Sequence, residues 1–257
     1  MSSSKPVFLL VSGGWHPPAA YDKLKVQLEA NGYEYYCPHL PSLGPAASGV
    51  TYEADVDTIR EVALPLFDQG REVILIAHSA GGVPAVVAAQ GLEVGQRAAE
   101  GKKGGFRHII FLAAVIISTR GSDTLQTLGG SWQPGQGGGE PYTKVRLQAS
   151  SFTSRRAEKT LYSDLPEEEA RKYYNLFQPH SQDAFETPVN YIAADLTIPK
   201  TYIVTENDMA FPAFAQRALA ATLPDVQIES IETSHSPFAS QPENLAAILV
   251  RIAATSE

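Results

Sequence analysis

A serine framed by small residues directly behind an apolar run is the segment of this chain best equipped for chemistry. Glu72-Val-Ile-Leu-Ile-Ala77 leads straight into His78-Ser79-Ala80-Gly81-Gly82. An apolar strand that meets such a serine and continues at once into a helical pattern pushes the hydroxyl out on a sharp turn. Small side chains at Ala77 and Gly81 allow the tight backbone, and Gly82 lets the next helix pack close. The usual pattern is Gly-x-Ser-x-Gly, and alanine at position 77 is still small enough for it. On these five residues alone, a Ser-Gly turn capping an ordinary helix fits equally well. A serine hydroxyl is a poor nucleophile unless a base takes its proton and a third group orients that base. Both partners exist downstream at strand ends. Asp208 follows the run Tyr202–Thr205 by a short turn, and His235 lies in the loop Glu232-Thr-Ser-His-Ser-Pro237 beyond the run Val226–Ile231. Glu206 and Asp225 are rivals for the acid, although Asp225 follows Pro224 and reads as a strand-entry turn. His78 sits beside the serine, but on an alternating backbone its side chain points away from the hydroxyl, which favours packing. His39, His108 and His180 show no metal-ligand spacing and receive no role, so neither a metal nor a cofactor is expected.

The elements that must position these residues alternate. Val7–Val11 is a buried strand feeding the turn Ser12-Gly13-Gly14, and Tyr21–Asn31 has helical spacing with Asn31-Gly32 as its stop. Tyr33–Cys37 reads as a strand, Tyr52–Phe67 as a helix, and Val73–Ala77 as the strand before the serine. Val83–Val94 continues as an apolar helix, Gly101–Gly105 breaks the pattern, and Ile109–Ala114 forms another buried strand. Glycines and prolines then crowd Gly129–Pro141, and charged helix-forming stretches run to about Asn190. The rhythm returns with strands at Thr201–Thr205 and Val226–Ile231 and helices at Pro212–Thr222 and Glu243–Ala254. Such alternation predicts an α/β fold: a doubly wound, mainly parallel sheet of about six strands with right-handed crossovers. Residues 1–117 and 191–257 would form the core, and residues 118–190 an inserted helical lid. Ligands in such sheets bind outside the carboxyl ends of the strands, where an insertion becomes a cover. The Gly137-Gly138-Gly139 stretch reads as a loop of that cover, because no strand precedes it and no helix start follows.

The 257 residues most simply make one domain with an insertion, and 44% hydrophobic residues exclude disorder as the default. A net charge of -8 argues against a nucleic-acid or anionic-membrane surface. The lone cysteine, Cys37, excludes an internal disulfide and fits a reducing cytosol. No apolar stretch precedes Val7, so no secretory signal is read there, and the run Ile109–Ile117 is far short of the ~20 residues a membrane span needs. The expected partner is a small-molecule substrate in the cytoplasm; monomer and homodimer both stay open.

Four separated stretches, in order, resemble the α/β-hydrolases, in particular the compact subgroup of plant methylesterases, hydroxynitrile lyases and their bacterial and fungal relatives. Ser12-Gly-Gly-Trp-His-Pro-Pro18 is similar to that family's His-Gly-Ala-Trp-His-Gly-Pro turn, with serine in place of its first histidine. Val73–Gly82 is similar to its nucleophile elbow, Ile198–Pro212 with Gln216 to its acid segment, and Ser234-His-Ser-Pro-Phe238 to its histidine loop. Pro166–Pro188, with Gln178-Pro-His-Ser181, resembles the second half of the lid. The order serine, aspartate, histidine is also that family's. The resemblance implies Ser79 as nucleophile, His235 as base and Asp208 as its orienting acid. It implies an oxyanion hole made by the amides of Ala80 and Gly14, with the substrate-binding candidate Trp15 beside that turn, where tryptophan more often fills space, and His16 near the pocket mouth, where it serves equally well as a turn stabiliser. Trp132 in the lid is a further substrate-binding candidate. The lid aromatics Trp132, Tyr142, Phe152, Tyr162, Tyr173, Tyr174 and Phe177 point to an apolar or aromatic substrate portion, but also suit packing on the sheet. The implied reaction is hydrolysis of an ester, thioester or lactone through an acyl-enzyme. Two alternatives are weighed against it. One is a lyase or metabolite-tailoring reaction in the same pocket, although lyase members usually carry threonine and lysine where this chain has Gly13 and Ser236. The other is a low-turnover ligand-binding protein.

Overall fold

The computed structural model describes residues 5–130 and 159–255. Strands β1 (Val7–Val11), β2 (Tyr35–Tyr36), β3 (Glu72–His78), β4 (Gly105–Leu112), β5 (Lys200–Thr205) and β6 (Val226–Ile231) form one sheet. Its order is β2-β1-β3-β4-β5-β6, and every neighbouring pair runs parallel. Parallel strands need crossovers, and helices supply them: α1 (Asp22–Ala30), α2 (Tyr52–Asp68), α3 (Gly82–Ala89), α4 (Val94–Ala99), α5 (Glu167–Asn175) and α6 (Ala213–Ala220) lie between strands, and α7 (Pro242–Thr255) follows the last one. Single helical turns also occur at Thr124–Thr127, Asp183–Glu186 and Pro237–Ser240. Among the described residues, no helix is long and apolar enough to cross a membrane.

Strand alternation divides the core into two layers. Val7, Leu9, Val11, Val73, Leu75 and Ala77 face the layer built by α2 and α3. Phe8, Leu10, Ile74 and Ile76 face the layer of α1 and α7, whose Leu24, Leu28, Leu245 and Leu249 are fully buried. Because both faces are covered, β1 and β3 read as unbroken apolar runs. The chain leaves β1 toward β2 on one side and reaches β3 on the other. The switch point of the sheet therefore lies at the carboxyl ends of β1 and β3, where the Gly13-Gly14 turn and Ser79 stand.

Local differences from the sequence reading have local causes. The expected helix Val83–Val94 is two helices, because Gly91 adopts a left-handed φ of 76° and the chain restarts at Glu93, whose N–H is taken by the Gln96 side chain. Tyr33–Cys37 narrows to a two-residue edge strand, since it has only β1 to pair with. β4 begins at Gly105 and ends at Leu112, where Ala113 turns to φ 44°.

Two glycines test this packing. A Cβ on Gly82 would lie 2.1 Å from the Val115 carbonyl oxygen, whereas one on Gly95 in α4 would meet nothing. Gly82→Ala is expected to lose about 1–3 kcal/mol or more in urea unfolding, and Gly95→Ala to gain about 0.5–1 kcal/mol. An unchanged stability for Gly82→Ala would contradict the close approach of α3 to the sheet.

Candidate active site

β3 ends at His78 in extended backbone, and Ser79 turns abruptly to φ 51°, a region disfavoured for any residue with a Cβ. The turn then opens α3. Its tightness is visible in the next two residues: a Cβ on Gly81 would sit 2.5 Å from the Val11 carbonyl oxygen, and Gly82 is equally hemmed in by Val115. The Val115 amide donates to the Ser79 carbonyl at 2.9 Å and ties the strained residue to the strand beyond β4. Strain of this kind persists only where the surroundings over-determine it, and it leaves the serine side chain half-exposed above the sheet.

At the neighbouring strand ends, His235 Nδ1 and Asp208 Oδ2 are 2.6 Å apart and both residues are buried. Asp208 Oδ1 accepts from the amides of Ala210 and Phe211 at 2.8 Å each, and Oδ2 also accepts from Thr205 Oγ1 at 2.8 Å and Gln216 Nε2 at 2.9 Å. Burial alone would raise this carboxyl, but the charge and hydrogen bond of His235, the Phe211 amide and the Thr205 hydroxyl hold it below its ordinary range. It is therefore a carboxylate that obliges His235 to carry its proton on Nδ1, leaving Nε2 as the basic nitrogen. The rivals are elsewhere. Glu206 pairs with Arg217 at 2.7 Å, and Asp225 is an exposed turn residue with φ 53°. Gln216 entered the sequence reading only through the resemblance. The structure shows it as the brace of the carboxylate, bonding Thr205, Asp208 and the Phe211 carbonyl.

His78 joins the histidine loop to the β1 turn. Its Nε2–H donates to the His235 carbonyl at 3.2 Å, so Nδ1 must accept, and does so from Tyr21 Oη at 2.8 Å. Tyr21 Oη in turn accepts the Gly13 amide at 2.9 Å. Packing alone thus understates His78, which carries a directional hydrogen-bond chain. The His78 and His235 rings are 5.0 Å apart. Ser79 Oγ has no hydrogen-bond partner among the described residues, so the structure brings His235 to Asp208 and to the elbow without closing its bond to the serine.

The β1 turn is pinned amide by amide. Gly13 N–H goes to Tyr21, Trp15 N–H to His180 Nδ1 at 3.3 Å, and His16 N–H to the Gly13 carbonyl at 3.3 Å. Among the described residues Gly14 N–H has no such partner, and a Cβ on Gly14 would lie 3.9 Å from that of Ala80. The Ala80 amide stands in the first turn at the helix start, where N–H groups lack intrahelical acceptors. His16 is buried with both nitrogens engaged: Nδ1–H donates to the Gly14 carbonyl at 2.7 Å and Nε2 accepts from Tyr162 Oη at 2.8 Å. Of its two expected roles, these contacts favour bracing the turn. Trp15 has φ 66° and stacks on Phe185 at 5.9 Å. Trp132, Tyr142 and Phe152 lie outside the described residues. A narrow cleft open to solvent is lined by Ser12, Leu40, Asp55, Ala80, His180 and Phe185. Among the described residues, no group of three or more His, Cys, Asp or Glu side chains is arranged to hold a metal ion.

The sequence matches the model of the alpha/beta hydrolase family over residues 8–248. It is 26% identical to an alpha/beta hydrolase of Aspergillus novofumigatus, over 93% of each chain. It is 29% identical to a pyrethroid hydrolase of Sphingobium wenxiniae, covering 93% of this chain and 84% of that one. A third relative, methylesterase 7 of Arabidopsis thaliana, is 27% identical over 96% of this chain and 95% of its own. In fold, the chain resembles an extracellular alpha/beta-hydrolase from a Paenibacillus species, with TM-score 0.78 at 18% identity over 96% and 98% of the two chains.

The cluster has a consequence for stability. Burial lowers His16 and His180 to about 3 and His108 to about 4, and pushes His78 well down. Each binds fewer protons folded than unfolded, so its contribution is complete above the ordinary histidine pKa and shrinks as pH falls below it. The loss is about 1.4 kcal/mol per histidine per pH unit. Asp55, raised to about 6 by burial, acts in the opposite sense below that pH and offsets one of them. The thermal midpoint is therefore expected to fall steeply between pH 6.5 and 5, and less steeply in a His108→Gln variant. A flat midpoint over that range would rule out the neutral buried histidines.

Proposed function

This chain belongs to the alpha/beta hydrolase family, and from that membership and its site we propose a serine hydrolase that cleaves small carboxylic esters, thioesters or lactones. The observation that carries the reading is the buried His235–Asp208 pair at the carboxyl edge of the sheet, beside a serine held at positive φ. Ser79 Oγ attacks the substrate carbonyl as His235 Nε2 takes its proton, and Asp208 stabilises the imidazolium through Nδ1–H. The amides of Gly14 and Ala80 receive the negative charge that develops on the carbonyl oxygen. His235 then protonates the leaving alcohol, thiol or opened lactone oxygen. Water, activated by the same nitrogen, releases the acyl group. The Ser79 hydroxyl must rotate onto His235 Nε2 when substrate binds, a tightening common between free and occupied sites.

Relatives named as a pyrethroid hydrolase and a methylesterase support an ester as substrate. A threonine in place of Gly13, as in the lyases, is disfavoured here because a Cβ at that position would lie 2.6 Å from His78 Nδ1. Residues 118–190 act as the cap over a core of 1–117 and 191–257. Support comes from the described part of the cap: Tyr162 bonds His16, Asp164 accepts the Ser234 amide, and the Gln178 amide donates to the Trp15 carbonyl. Trp15 would border the substrate, stacked on Phe185 of the cleft wall.

A fluorophosphonate is expected to label wild type and to leave Ser79→Ala unlabelled and inactive. Asp208→Asn should lower kcat on a short aryl ester by about 10⁴, through the wrong imidazole tautomer. Wild type that is neither labelled nor active on any aryl ester or lactone would sink the proposal.

A further inference from the structure

A second line of buried polar side chains, remote in sequence from the first, ends on the same β1 turn. Asp55 in the first turn of α2, Ser42 in the preceding loop and His180 are each at least nine-tenths buried. Asp55 Oδ1 accepts the Ser42 amide at 2.9 Å, and Oδ2 accepts the Ser42 hydroxyl at 2.5 Å. With its only proton spent on the carboxylate, Ser42 Oγ can only accept from His180, 2.9 Å away at Nε2. His180 therefore carries its proton on Nε2, and Nδ1 is free to accept the Trp15 amide. The direction of every bond follows from the carboxylate at the far end.

We propose that Asp55, Ser42 and His180 are positioning residues for the oxyanion hole, fixing the Trp15 amide so that the adjacent Gly14 N–H faces the carbonyl oxygen of the substrate. Trp15 sits at φ 66°, which a bulky residue leaves unless it is held. Its amide is tied by His180 and its carbonyl by the Gln178 amide at 3.0 Å. The segment carrying His180 is itself docked on the Ser42 loop, through the Ser181 amide on the Ser42 carbonyl at 2.8 Å and the Gly44 amide on the Pro179 carbonyl at 2.8 Å. With the amides of residues 13, 15 and 16 all engaged, the residue 14 amide is the one in this turn without a partner among the described residues. Loss of the Nδ1 acceptor would let the 14–15 peptide rotate and misdirect that donor. Asp55 and His180 also border the cleft, so a plain wall role is the competing account. The two differ in what they touch, since a wall acts on substrate affinity and an oxyanion brace on the transition state.

This inference rests on the hydrolase reading of Ser79, and the test separates the two. Wild type, His180→Phe, His180→Asn and Ser42→Ala are compared for kcat and KM on a short aryl ester, affinity for an aryl trifluoromethyl ketone, fluorophosphonate labelling rate and thermal midpoint. Asparagine Oδ1 stands as many bonds from Cα as histidine Nδ1 and restores the acceptor, whereas phenylalanine keeps only the shape. His180→Phe is expected to lose about tenfold to a hundredfold in kcat and in trifluoromethyl ketone affinity, with KM within about twofold, because one oxyanion donor is worth about that much or more. His180→Asn should return to within about threefold of wild type. Equal losses in both variants, a loss confined to KM, or full activity in His180→Phe would overturn the brace. Should neither His180 variant fold, Ser42→Ala decides: a fall in kcat and ketone affinity at unchanged KM supports the chain, and wild-type values overturn it. Unlabelled wild type would instead remove the hydrolase reading; labelled wild type with His180→Phe reacting at the same rate removes only the brace.

Discussion

The constraint on which the rest depends is the close approach of the β1 turn to the elbow after β3. The backbones meet so tightly that Gly81 has Val11 and Ser12 carbonyls within 2.6 Å of where a Cβ would be, and a Cβ on Gly13 would press on the His78 ring and the Ser79 Cβ. Strands β1 and β3 are neighbours in the sheet, while the chain between them first travels out to β2 and back through α2. That detour makes the switch point, and it lets two turns from distant parts of the sequence share one wall. Ser79 on one turn and the Gly14 amide on the other are thereby brought to one place by backbone geometry alone.

Histidines hold this meeting point together, and they do so uncharged. His78, His16 and His180 each use both ring nitrogens, one as donor and one as acceptor, and burial keeps them neutral. A neutral imidazole passes a hydrogen bond between two backbone turns without bringing a charge into the interior. His235 differs because a carboxylate faces it. The contrast is one of partner type: His235 meets the Asp208 carboxylate, while the others meet carbonyls, phenols, a backbone amide and a serine.

Much of this was legible in the residues. The strand–helix alternation, the parallel sheet and the family follow from apolar runs and ordered motifs, and the residue that meets His235 is Asp208, the one its segment favoured over Glu206 and Asp225. Local boundaries moved where a single residue changed hand, as at Gly91 and Ala113. Ser12, where the family has histidine, posed the question of how the turn is anchored. Tyr21, Tyr162 and His180 answer it, and no pattern in the sequence links positions 13, 21 and 78, or 42, 55 and 180.

What the sequence determined by itself is periodicity and motif: which stretches bury both faces, which turn needs glycine, and where the serine, aspartate and histidine fall relative to strand ends. These are properties of neighbours along the chain, set by the pitch of strand and helix. Tertiary structure alone decided which nitrogen of each histidine bears its proton and which amide of the β1 turn stays unbound. Those outcomes depend on partners up to 165 residues away. A hydrogen bond's direction is fixed by what waits at the other end, and only folding supplies that.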